Sequence, residues 1–115
     1  MKNFLFTTLG IFLLMALSAI ANAAELYGQF SASDPAVLRG AVIIVQCDEW
    51  RQSVSISKHG KYSVRGVPGN RGCFFTIQHP NYRESAKVGF STNRSVITLN
   101  AELRIRDSRI LVLRR

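Results

Sequence analysis

Downstream of residue 24 the chain alternates apolar and polar residues with a period of two, in short runs rich in Val, Ile, Phe, Tyr, Ser and Thr. The alternation predicts strands near residues 26–31, 41–47, 52–57, 61–65, 72–79, 85–90, 95–100, 102–106 and 110–114. Turn residues separate them: Ser33-Asp34-Pro35, Lys58-His59-Gly60, Val67-Pro68-Gly69-Asn70, Pro80-Asn81 and Thr92-Asn93. Apolar spacing at i, i+3, i+4 and i+7, the mark of an amphipathic helix, is missing from this part of the chain. One strand plus turn every 10 residues or so is the rhythm of an antiparallel sandwich. The fold class expected is therefore all-β, in one domain over residues 24–115, with no internal repeat and no linker.

The first 23 residues have a different pattern. Lys2 precedes an apolar run from Phe4 to about Leu17, and Ala21-Asn22-Ala23 supplies small residues at the spacing a signal peptidase reads. This predicts an export signal over 1–23. A retained anchor is the competing reading, since the run is just long enough to cross a bilayer, but no cationic cluster follows it. With the signal removed, no transmembrane span is expected. The remaining 92 residues carry 14 basic and 7 acidic side chains, a net charge of +7 against +8 for the whole chain. The destination is then a periplasm or the cell exterior, where a disulfide is chemically available and nucleic acid is not an expected partner.

From Gly60 to Tyr82 the sequence reads GKYSVRGVPGNRGCFFTIQHPNY. This resembles the carboxypeptidase regulatory-like domain, a transthyretin-type (prealbumin-like) sandwich. Gly60, Tyr62, Val64, Gly66, Val67, Pro68 and Gly69 match its Gly-x-Tyr strand and the Pro-Gly turn. Phe75, Ile77, Pro80 and Tyr82 match the following strand and its Pro-Gly-Tyr end, with Asn81 in place of Gly; Asn tolerates positive φ there. Leu26-Tyr27-Gly28 and Leu38-Arg39-Gly40-Ala41-Val42-Ile43 are similar to the family's first two strands. The resemblance implies a seven-stranded Greek-key sandwich, to which the segment after residue 100 adds a C-terminal strand or hairpin. It also sets the strands at 41–47 and 72–79 side by side. Alternation points Cys47 inward with Ile43 and Val45, and Cys73 inward with Phe75 and Ile77, so on that arrangement the two cysteines form a disulfide.

Catalytic signatures are not apparent. The seven acids are scattered, His59 and His79 sit at no metal-ligand spacing, and nucleophile-elbow, zinc-protease and phosphate-loop motifs are missing. No cofactor is expected, and metallocarboxypeptidases bearing such domains place catalysis elsewhere. The expected function is a non-enzymatic binding module that docks on a protein or on an anionic envelope component. A structural accessory subunit, donating its C-terminal strand to a neighbour's sheet, and an inhibitor or immunity-type protein of an exported enzyme are the alternatives. Two surfaces are candidates for the interaction. Val42, Ile44 and Phe74 point away from the core and predict an outer apolar patch, covered either by the segment Ile110–Leu113 or by a partner. Arg104 and Arg106 share a strand face and Arg109 follows, in a chain whose basic residues downstream of the signal are 11 Arg and 3 Lys. Arginine suits bidentate contact with carboxylate or phosphate. Trp50, the one tryptophan, follows Cys47 closely and is read as packing beside the disulfide or anchoring a partner.

Overall fold

A computed structural model describes residues 23–115. The expected export signal lies outside them, apart from its last residue, Ala23. Nine strands are present among the described residues: β1 (Ala23–Ala32), β2 (Val42–Cys47), β3 (Trp50–Ser55), β4 (Lys61–Pro68), β5 (Gly72–Gln78), β6 (Val88–Ser91), β7 (Val96–Thr98), β8 (Ala101–Arg106) and β9 (Arg109–Arg114). A single 3-10 turn, Pro35–Val37, interrupts them; Asp34 caps it by accepting the Ala36 N–H. No helix among the described residues is long and apolar enough to cross a membrane.

The strands form two sheets. One has the order β3-β2-β5-β6, antiparallel throughout. The other has the order β4-β1-β8-β9, with β7 also paired to β1. Their inner faces meet in one core, because period-two alternation turns one side of each strand inward. Leu26 and Phe30 from β1, Val64 from β4, Ile43 and Val45 from β2, and Ile77 from β5 are fully buried there. Phe30 stacks on Tyr62 at 4.8 Å between ring centroids and reaches Phe75 of the opposite sheet at 6.1 Å.

The C-terminal hairpin is part of this core and not an addition to a finished sandwich. β8 pairs in parallel with β1 at Phe30–Ala32 and antiparallel with β9, and Leu103 and Ile110 are buried. The expectation of a seven-stranded unit with a separate appendage therefore gives way to nine strands in which the last two supply core side chains. β9 pairs with β8 of its own chain and is the last strand in the order of its sheet.

β7 and β8 lie one after the other along the same edge of β1. The chain steps between them at Leu99 and Asn100. Leu99 N–H donates to Tyr27 O at 3.0 Å, Gln29 N–H donates to Asn100 Oδ1 at 2.9 Å, and the Tyr62 hydroxyl donates to Leu99 O at 2.6 Å. Gly28 makes this approach possible, since a Cβ there would collide with the Leu99 carbonyl. Burial pushes the Tyr62 phenol well above its ordinary range, only partly offset by the Arg114 charge.

Asn81 does not use the left-handed region. Positive φ at non-glycine residues falls on Asp48, Asn70, Asp107 and Ser108. The Asn81 N–H instead bonds His79 Nδ1 at 3.1 Å, and the Tyr82 N–H bonds His79 O at 3.4 Å, which closes the turn by another route.

Candidate functional site

Cys47 ends β2 and Cys73 lies near the start of β5. The antiparallel register that sets Gln46 opposite Phe74 brings the two cysteines together one position further on. They are joined, with S–S 2.11 Å and Cα–Cα 4.5 Å. Asp48 and Glu49 make the tight turn after Cys47, so Trp50 becomes the direct cross-strand partner of Cys47. Trp50 is half-buried and packs against the core. An ion pair between Arg71 and Asp48, 3.1 Å, lies across the same end of the sheet.

The outer face of β2 and β5 carries Val42, Ile44 and Phe74, as the alternation predicts. It is not an open apolar patch. Ile44 is 6% exposed, with the buried Thr76 as its cross-strand partner, and Val42 and Phe74 are half-buried. The Lys87 ammonium sits 4.6 Å from the centroid of the Phe74 ring. The segment Ile110–Leu113 is not the cover, because it pairs with β8 in the other sheet. The exposed large hydrophobic residues among those described lie elsewhere: Tyr27, Val96 and Leu113.

The third region is the outer face of β8 and β9. Ala101, Leu103 and Ile105 face the core, so Glu102, Arg104 and Arg106 face outward. Across the strand pair, Glu102 meets Leu113, Arg104 meets Leu111 and Arg106 meets Arg109. Asp107 and Ser108 form the connecting two-residue turn, both at positive φ as a type I′ turn requires. Arg104 and Arg106 thus lie on one exposed face, as predicted, and the hairpin register adds Arg109 to it. Glu102 accepts from Arg104 at 3.0 Å and from Arg115 at 3.1 Å. Hydrogen bonds from Arg104 and then Arg115 hold its carboxyl below the usual range, against a small opposing effect of desolvation.

The alternation of single strands could not identify Arg83 as part of this region. It lies in the connection between β5 and β6, yet it forms a parallel bridge with Arg109. Its N–H donates to Ser108 O at 2.7 Å and its carbonyl accepts the Ile110 N–H at 3.1 Å. No local signal announces a pairing between segments 26 positions apart.

The two histidines have different settings. His79 is 9% exposed and has both ring nitrogens engaged, Nδ1 by the Asn81 N–H and Nε2 with Ala36 O at 3.3 Å. It borders an open cleft of about 350 Å³ with Gly40, Val42, Pro80, Tyr82 and Glu84. His59 is exposed in the turn before β4, where its carbonyl accepts from Gln29. A second shallow cleft, about 520 Å³, lies beside Tyr27 on the outer face of β1 and β4. Among the described residues, no three His, Cys, Asp or Glu side chains are grouped to hold a metal ion. No protein-family model and no curated protein matches the chain.

Proposed function

We propose that this chain is a non-enzymatic, exported binding module that docks on an anionic component of a cell envelope through the outer face of β8 and β9. The observation that carries the proposal is the set Arg104, Arg106 and Arg109 on one exposed sheet face, with Arg106 and Arg109 directly opposed. Like charges at such positions weaken a sheet, so an anionic partner gives them a purpose that folding does not. Export is supported by the apolar N-terminal run with its Ala-Asn-Ala end and by the Cys47–Cys73 bond, which persists in oxidising compartments. The two-sheet architecture and the Gly60–Gly69 motif support a carboxypeptidase regulatory-like, transthyretin-type sandwich with Greek-key connections. In that family catalysis resides in a separate domain, which agrees with a binding role here.

The proposal is tested by retention of the protein on an immobilised polyphosphate matrix at low and high salt. Retention at about 50 mM salt and release near 500 mM are expected, since ionic screening shortens the Debye length severalfold over that range. Equal retention of the wild type and an Arg104→Gln/Arg106→Gln/Arg109→Gln variant would sink it.

A further inference from the structure

The outer arginines are not evenly distributed. Arg106 pairs with Arg109 across β8 and β9, and Arg109 pairs with Arg83 across the next edge. Side chains of directly paired residues share a face, so three arginines stand in one row over three adjacent backbones, about 5 Å apart at each step. All three are exposed.

The Arg83 and Arg109 guanidinium groups are held in place without being neutralised. Arg83 Nη2 donates to Asp107 O at 2.7 Å, and Arg109 Nε donates to Glu84 O at 3.0 Å. These acceptors are neutral carbonyls, and each guanidinium retains further N–H donors for a ligand. Among the described residues, no carboxylate lies within ion-pair distance of Arg83, Arg106 or Arg109. The other end of the same face is different. There, Glu102 takes both Arg104 and Arg115. On this face the arginines without an ion pair thus lie at the turn between β8 and β9, where Asp107 is the one acid of the turn.

Apolar side chains share the face. Leu111 is half-buried and Leu113 is 39% exposed, four positions along β9 from Arg109. An open sheet face with a row of exposed arginines at the turn and an exposed leucine at its other end, opposite Glu102, matches an interface that is anionic at its surface and apolar just beneath. A small soluble anion would have no use for the leucine.

We infer that the Arg83–Arg109–Arg106 row binds phosphate groups of lipid headgroups, seating the outer face of β8 and β9 on an anionic membrane surface. This rests on the anionic-partner reading above and names its ligand.

The test is co-sedimentation of the exported protein with phosphatidylcholine vesicles containing about 30% phosphatidylglycerol, a surface for which each basic residue contributes roughly fivefold in affinity. The protein is expected to bind these and to be left in solution by pure phosphatidylcholine vesicles. Arg83→Gln, Arg106→Gln and Arg109→Gln should each weaken binding about fivefold, while Arg51→Gln, an equal charge change on exposed β3, should have a much smaller effect. Leu113→Ser should weaken binding without altering its salt dependence. The thermal midpoint of Arg106→Gln should be unchanged or higher, since a like charge is removed and no hydrogen bond of that side chain is lost. Where a Gln variant unfolds, the Lys variant at the same position, expected to retain most binding, decides in its place. Equal binding to both vesicle types, or an Arg51→Gln effect equal to that of Arg109→Gln, would overturn the inference. Binding to soluble polyphosphate but not to the charged vesicles would reject the lipid ligand and leave the anionic reading standing. Failure with both probes would reject both.

Discussion

The two sheets present outer faces that solve opposite problems. On β2 and β5, apolar side chains point outward, yet Ile44 is buried, Val42 and Phe74 are half-buried, and Lys87 lies over the Phe74 ring. On β8 and β9, charged side chains point outward, and those near the turn are left without counter-charges. An apolar residue on an outer face can hide beneath its neighbours at little cost. An unpaired guanidinium in a row of three cannot, and the fold sets no carboxylate within ion-pair distance of it. The face conspicuous in the sequence for its hydrophobicity is therefore a secondary packing layer, and the charged face is the better candidate for contact.

The largest expected effect concerns what fastens the first of these faces. Replacing both Cys47 and Cys73 with Ala releases a loop between residues 26 apart. Loop-closure entropy puts the loss at about 3.5 kcal/mol. For a domain of this size that is a large part of the total stability. Denaturant unfolding of the double variant should show it, and free-thiol titration of the unreduced, denatured wild type should find no thiols. The proposed binding face on β8 and β9 lies in the other sheet. Any double variant that still folds should therefore keep its salt-dependent retention.

A paired substitution tests the contrast itself. Ile44→Ala removes a side chain that is 6% exposed, and Leu113→Ala one that is 39% exposed. The first should cost about 2 kcal/mol, below the cost at a fully enclosed site because the outer face can relax. The second should stay within about 0.5 kcal/mol. Equal losses in chemical denaturation would mean that the two faces are buried alike and would remove the contrast.

The period-two pattern located a strand in each of nine segments, because half-buried strands must alternate. It failed where a side chain's fate depends on a partner far along the chain. Trp50 begins β3 two residues earlier than the alternation indicated, since a two-residue turn returns the chain immediately after Cys47. β6 is confined to Val88–Ser91, because Ser85 is used to bond Ile77, its hydroxyl accepting the Ile77 N–H at 2.8 Å. Val42, Ile44 and Phe74 were correctly placed on an outer face, but alternation cannot report how Lys87 lies over that face. Arg104, Arg106 and Arg109 could be read from one hairpin. Arg83 could not, as its pairing is non-local. The disulfide followed from strand phase once the two strands were taken as neighbours, and that adjacency came from a family resemblance and not from local pattern.

The attachment of the charged face to the sandwich offers a smaller effect. Tyr62 donates to Leu99 O at the step between β7 and β8. Tyr62→Phe leaves a buried carbonyl without this donor and should cost about 1–2 kcal/mol. Burial raises the folded-state pKa of Tyr62 above its unfolded value of about 10. Its contribution is therefore complete below that pH and is lost as the pH rises further. Wild-type stability should fall above about pH 10, and the Phe variant should fall less. Parallel alkaline limbs in denaturant titrations would show that Tyr62 is not the group responsible.

The smallest effect on stability gives the finest test of how charge is divided along the second face. Glu102 is held below the usual carboxylate range by Arg104 and Arg115, so its contribution is present above the unfolded value of about 4.3 and is lost as the pH falls through the folded one. Glu102→Gln should flatten the acid limb of the stability profile while changing neutral-pH stability little, because exposed ion pairs are weak. It should also free two guanidiniums at the end of the face nearest Leu113. If binding depends on unneutralised arginine, this variant should bind an anionic surface more tightly than the wild type, with a steeper salt dependence. If Arg83, Arg106 and Arg109 alone make the contact, it should bind as the wild type does. A loss of binding in Glu102→Gln would mean instead that the carboxylate orients arginines the ligand needs, and the division of the face into neutralised and free ends would have to be redrawn.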